Sequence, residues 1–176
     1  MSAYTVTRSI SIDAGHRVMT HGSKCRHLHG HRYTVEATCQ ADRLQTAGEQ
    51  SDMVLDFSFL RNEMQAIIDS ACDHGFLAYL ADDDLLTMFC PAGRDFAAWK
   101  AAIGKAIAEQ GYCLTDDTRL NTKLYVLDVN PTAEQLSRHW FQRLRPVVTA
   151  RSGGLAHLRL VTVWETPNCR ASYGEP

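Results

Sequence analysis

Eight histidines occur in this 176-residue chain, and they are unevenly spread: His21, His27, His29 and His31 crowd together, with His16 just upstream. In a strand, side chains at i and i+2 point the same way. If His29-Gly30-His31 opens a strand, its two imidazoles therefore share a face. A third imidazole would make a three-histidine site, and three neutral imidazoles with an open fourth position suit a catalytic zinc. Two residues compete for the third place. His16 would reach it from the end of a preceding strand, and His27 would join the same face if the second strand began earlier; spacing alone does not choose between them. Gly30, without a side chain, allows close approach by a neighbouring backbone or ligand. His139 and His157 stand alone and read as surface or core histidines.

Three further groups have the chemistry to serve such a site. Cys25 lies four residues before His29, flanked by Lys24 and Arg26. Neighbouring cations and a metal lower a thiol pKa, which would make Cys25 a base or nucleophile near neutral pH. Asp73-His74 pairs a carboxylate with an imidazole, so the first can hold the tautomer of the second; simple capping of a helix C-terminus is the plainer alternative. Glu165 ends the otherwise apolar run LRLVTVWETP. In a pocket it would accept paired hydrogen bonds from a planar amidine-like edge, as in a guanine or pterin ring.

The elements that must position these residues follow from periodicity. Residues 4–12 read as a half-buried strand with Val6, Ile10 and Ile12 on one parity. In residues 32–40, Tyr33, Val35, Ala37 and Cys39 alternate strictly with polar residues, the clearest period-two signal in the chain. After a turn-rich stretch and Met53-Val54-Leu55, a helix capped by Asp56 or Ser58 is expected through about Ala71. A second helix starts at Asn130-Pro131-Thr132-Ala133-Glu134, carries Leu136, Trp140, Phe141 and Leu144, and is expected to stop at Pro146. Leu155 to Thr166 reads as the last strand, broken by Pro167. Within the long segment 79–123, Phe96, Trp99, Ile103 and Ile107 predict an extra helix, and Asp82-Asp83-Asp84 a solvated turn. The expected order is strand, strand, strand, helix, inserted helix, strand, helix, strand, an α+β arrangement in one domain over residues 1–176.

Composition narrows the function classes. Eighteen Lys and Arg against twenty Asp and Glu give a formal net charge of -2, without the basic excess that nucleic-acid binding requires. The sequence has no apolar run long enough for a membrane span and no signal-peptide pattern at its start, so a cytoplasmic protein is expected. The six cysteines form no C-x-x-C pair, and in a reducing compartment they are expected to be thiols, mostly buried.

Taken together, these residues resemble the 6-pyruvoyltetrahydropterin synthase superfamily, most closely its bacterial branch that forms 6-carboxytetrahydropterin for queuosine biosynthesis. The similarity runs through Ile12-Asp13-Ala14-Gly15-His16-Arg17, Cys25-x-x-x-His29-Gly30-His31, Val54-Leu55-Asp56-Phe57, Asp73-His74, Pro131-Thr132-Ala133-Glu134 and Glu165-Thr166, in family order along nearly the whole chain. The resemblance implies a tunnelling fold: a four-stranded antiparallel sheet with two helices on one face, here with an inserted helical segment at about 79–123. It implies zinc on His16, His29 and His31, with His27 a spacer. Cys25 would be the proton acceptor, Asp73 and His74 its relay, and Glu165 the pterin anchor and a further relay member.

The implied activity is a lyase reaction on 7,8-dihydroneopterin triphosphate without a redox cofactor. The implied assembly is a homo-oligomer with active sites at subunit interfaces. Arg17, Lys24 and Arg26 are candidates for contacting triphosphate. Where the family has Asn after Asp-His-x-x-Leu, this chain has Ala78. Two alternatives stand beside the lyase: a pyruvoyl synthase, disfavoured by the three-residue interval between Cys25 and His29, and a non-catalytic zinc- or pterin-binding protein, which would not need a thiol base.

Overall fold

The computed structural model describes residues 3–175, which divide into two compact units. The chain order is β1 (Tyr4–His16), β2 (His29–Ala41), α1 (Phe57–Met64), a π-helical turn (Gln65–Asp69) continued by α2 (Ser70–Cys72), β3 (Gly75–Tyr79), α3 (Asp83–Phe89), α4 (Phe96–Gln110), β4 (Cys113–Thr115), β5 (Leu124–Leu127), α5 (Ala133–Arg151), β6 (His157–Thr166) and β7 (Cys169–Gly174). The strands hydrogen-bond in the order β4-β5-β3-β1-β2-β6-β7. The α+β class holds, but the sheet has seven strands where four were expected. Three of the seven, β3, β4 and β5, come from the stretch following Asp73-His74.

The first unit comprises 3–12, 33–70 and 133–175. The alternation in β2 behaves as its sequence demands, with Tyr33, Val35, Ala37, Cys39 and Ala41 buried. β6 runs antiparallel to β2, and its buried positions change parity from Leu158 to Val161 because a bulge between Thr38 and Cys39 leaves Arg159 without an opposite residue. β7, which the sequence reading missed, folds back on β6 after the turn at Pro167 and Asn168.

Asp56 caps α1 by accepting from the Ser58 and Phe59 N–H groups, at 2.6 and 3.0 Å. The helix then widens into the π turn, where the Ile67 carbonyl accepts from Arg143 Nη1 at 3.0 Å. α5 buries Leu136, Trp140, Phe141, Leu144 and Val148 along one stripe. It does not stop at Pro146 but runs on to Arg151: the proline costs a backbone hydrogen bond, yet buried Val148 in the next turn keeps the helix packed. Met53-Val54-Leu55, the third strand of the expected order, forms none; Val54 and Leu55 are buried in a loop.

The second unit comprises Asp13–Arg32 and Ala71–Thr132. β3 pairs in parallel with the end of β1, Ala14 opposite Gly75 and His16 opposite Leu77, and in parallel with β5; β4 pairs antiparallel with β5. All four residues of β5 are buried. Such a strand shows an unbroken apolar run instead of alternation; one strand was expected between the inserted helix and the second helix, and the structure has two, β4 and β5. The inserted helix α4 is where Phe96, Trp99, Ile103 and Ile107 placed it. Its buried Trp99, Ile103 and Ile107 cluster with Leu85, Leu86, Leu124 and Val126. Gly111, at φ 84°, ends α4 in the left-handed region that favours glycine. Asp82-Asp83-Asp84 is not a solvated turn: Asp82 is buried and caps α3. Cys39, Cys72, Cys90 and Cys113 are buried and form no disulfide among the described residues, Cys25 is half-buried and Cys169 exposed.

Burial pushes the pKa of His139, on α5, down to about 4 from an ordinary 6.5, with Arg143 adding to the shift. The unfolded chain takes up this proton near pH 6.5 and the folded chain only near pH 4, so stability is lost as pH falls through that window. In His139→Gln the loss between pH 6.5 and 4 is expected to be smaller than in the parent. Urea unfolding of both proteins across that range measures the difference.

Candidate metal centre

The end of β1 carries His16 and the start of β2 carries His29 and His31. Their ring centroids lie 4.4 Å (16 to 29), 5.1 Å (16 to 31) and 5.0 Å (29 to 31) apart. One ring nitrogen from each of the three falls within 4.8 Å of the other two. Among the described residues this is the group of His, Cys, Asp and Glu side chains so gathered, and neither His27 nor Cys25 belongs to it. Backbone geometry thus brings His16, and not His27, beside His29 and His31. Gly30 sits opposite Ala14, where an added Cβ would stand 3.0 Å from the Ala14 carbonyl oxygen and 3.5 Å from Gly15 Cα. A residue without a side chain lets the two strands close here and brings the imidazoles together.

Two of the rings are oriented by carbonyl oxygens, which only accept. His16 Nδ1–H donates to Pro131 O at 2.9 Å, and His29 Nδ1–H donates to His27 O at 2.7 Å. In the neutral rings the lone pair therefore lies on Nε2, the arrangement by which an acceptor on the far ring nitrogen prepares a histidine for metal. Pro131 of the Pro-Thr-Ala-Glu motif thus acts through its carbonyl, and His27 through its backbone, not its imidazole. His16 is almost fully buried, and burial pushes its pKa down to about 4, with further lowering from His29 and His31 and an opposing rise from the Pro131 bond. Burial and His29 also lower His31. Neutral, pre-oriented nitrogen donors without a carboxylate or thiolate in the group fit zinc.

Asp73 and His74 directly follow α2. Asp73 Oδ1 accepts the Asp13 N–H at 2.8 Å, and Oδ2 accepts His74 Nδ1–H at 2.7 Å. The Asp13 N–H is the main reason the Asp73 pKa is lowered, with His74 and Lys123 contributing. Asp13 O in turn accepts the His74 N–H at 2.8 Å, and Lys123 Nζ donates to the Asp73 carbonyl at 2.8 Å. His74 is exposed, so its Nε2 edge is open to a bound molecule while Nδ1 is held.

Cys25 lies in the short 3-10 turn Lys24–Arg26, its carbonyl accepting the Val18 N–H at 2.8 Å. Glu165 belongs to the first unit. It stands at a bulge in the β6–β7 ladder between Trp164 and Thr166, a feature that re-aims side chains at strand ends. The sequence reading missed Arg17 and Asp82 as a pair: Arg17 Nε donates to Asp82 Oδ2 at 2.6 Å, and Nη2 donates to Oδ1. An Asp just before Leu85-Leu86 is a capping signal that would have placed Asp82 at a helix start.

Comparison with known proteins agrees with this geometry. The sequence profile described as 6-pyruvoyl tetrahydropterin synthase matches residues 5–176. Curated relatives include 6-carboxy-5,6,7,8-tetrahydropterin synthases of Rickettsia typhi, 30% identical over 93% of this chain and 94% of the relative, and of Synechocystis, 28% identical over 82% and 99%. Among solved structures, an uncharacterized protein from Wolinella succinogenes is similar with a TM-score of 0.73 at 20% identity over 100% of both chains. A Caenorhabditis elegans 6-pyruvoyl tetrahydropterin synthase is similar at 0.58 and 20% identity over 100% and 98%. The chain belongs to the 6-pyruvoyl tetrahydropterin synthase family, a family of enzymes. Among the described residues no helix is long and apolar enough to cross a membrane.

The tight crossing at Gly30 carries a prediction. Gly30→Ala is expected to destabilise the protein by about 1–3 kcal/mol, because the added methyl meets backbone and no flexible side chain. Urea denaturation measures the loss.

Proposed function

We propose that the chain is a zinc-dependent lyase converting 7,8-dihydroneopterin triphosphate and water to 6-carboxy-5,6,7,8-tetrahydropterin, acetaldehyde and triphosphate. The observation that carries this reading is the cluster of three imidazoles, two of them oriented by carbonyl oxygens. It is supported by the name that the curated relatives share. His16, His29 and His31 would hold zinc. When bound, zinc supplies Lewis acidity that makes the hydroxylated side chain of the substrate easier to deprotonate.

The chain's own groups account for the proton movements. Cys25 as thiolate accepts a side-chain proton. His74 exchanges a proton at Nε2, its Nδ1–H fixed by Asp73, so that each carries one defined role. Glu165 accepts two N–H bonds from the amino-pyrimidinone edge of the pterin. The functional unit in this proposal is a cytoplasmic homo-oligomer with active sites at subunit interfaces, serving queuosine formation. The three-residue interval between Cys25 and His29 favours cleavage of the side chain over the simple triphosphate elimination of a pyruvoyl synthase.

The test is to load the protein with zinc, supply 7,8-dihydroneopterin triphosphate, and follow acetaldehyde and the pterin product by mass. A carboxypterin with one acetaldehyde is expected, with kcat lowered about 10²–10⁴-fold in Cys25→Ala. A pyruvoyl product would move the chain to the sister activity. Bound zinc without turnover would leave a binding protein. Metal analysis of His29→Ala and His31→Ala, each expected to lose bound zinc, checks the ligand set separately.

A further inference from the structure

The second unit contains an ion pair that joins the inserted segment to the residue following His16. Asp82 is only 2% exposed and its carboxylate makes three contacts: Arg17 Nε at 2.6 Å, Arg17 Nη2, and the Leu85 N–H of α3 at 3.2 Å. Its neighbour Asp83 is taken up by Lys100 of α4, so it does not compete for Arg17. Arg17 is therefore held in a planar two-point grip, the geometry in which a guanidinium is most firmly fixed.

What Arg17 begins is the loop of residues 17–28. Val18, the next residue, donates its N–H to Cys25 O at 2.8 Å, and the His21 N–H returns to Val18 O at 3.0 Å. The His27 N–H donates to Lys24 O at 3.0 Å, and His27 O is the acceptor that orients His29. Asp82 thus grips the side chain of Arg17, and the residue covalently next to it, Val18, is hydrogen-bonded to the turn that carries Cys25. Arg17, Arg26, His27 and Asp82 also line a single cavity of about 610 Å³.

We infer that Asp82 is a positioning residue: by gripping Arg17 it fixes the loop and sets where the Cys25 thiol stands, so the inserted segment governs the placement of the proton acceptor. The consequence for turnover rests on the proton-acceptor role of Cys25 proposed above; the placement itself does not.

Two variants approach the pair from opposite sides. Asp82→Ser keeps an oxygen able to cap α3 but cannot bridge a guanidinium. Arg17→Gln removes the cation from a side chain that is 22% exposed, and it carries the test alone should Asp82→Ser fail to fold. In zinc-loaded protein, site-resolved alkylation by iodoacetamide is followed by mass spectrometry, with exposed Cys169 as internal reference. The Cys25 rate relative to Cys169 is expected to rise threefold or more in each variant, and kcat to fall tenfold or more with KM changed less than threefold. An unchanged rate ratio in either variant with the parent's circular dichroism spectrum overturns the inference. A changed ratio with kcat unaffected upholds the positioning and overturns the role of Cys25.

Discussion

Three imidazoles whose ring centres lie 4.4–5.1 Å apart repel one another when charged, and this adds to the effect of burial on His16 and His31. Burial disfavours the charged form of His16, and carbonyl acceptors fix the proton of His16 and of His29 on Nδ1. The acceptors come from distant parts of the sequence, Pro131 and His27, so the centre requires that the segment before α5 and the loop between β1 and β2 both be in place. Gly30 eases the approach, because an added Cβ would stand in tight contact with the Ala14 carbonyl where the two strands meet.

Legibility in the sequence tracked how local the determining interaction was. The i, i+2 placement of His29 and His31, the alternation of Tyr33 to Cys39, the Asp56 cap and the stripe of α4 depend on neighbours in the chain, and each stands where its spacing put it. The parity change in β6 depends on a bulge opposite Thr38 and Cys39, which no reading of β6 alone contains. β4 is three residues long, too short to show a period, and β5 is buried throughout, so the one strand expected before α5 is in fact two. The third histidine was open for the same reason: His16 and His27 are equivalent in spacing, and only the pairing of strands selects one.

The acidic run at residues 82–84 shows how composition misleads where burial decides. Three consecutive aspartates are usually solvated, yet Asp82 is interior, because two of its bonds go to a guanidinium and one to a helix N–H. A buried carboxylate without such partners would be costly, and the pair is worth keeping only if its fixed geometry is useful. Its effect is to tie the start of α3 to the loop beside the histidines.

The Asp73-His74 pair can be weighed in the same way. A histidine that merely ended a helix would often take a left-handed backbone, but it would not need a fixed ring. His74 has both: its φ of 55° lies in the left-handed region, a strain of order 1–3 kcal/mol for a residue other than glycine. That conformation is held by a reciprocal pair, Asp13 N–H to the Asp73 carboxylate and His74 N–H to Asp13 O, with Lys123 on the Asp73 carbonyl. Three separate bonds hold this conformation around an exposed imidazole, with one ring nitrogen committed and the other facing outward, which supports the proton-transfer role proposed for it.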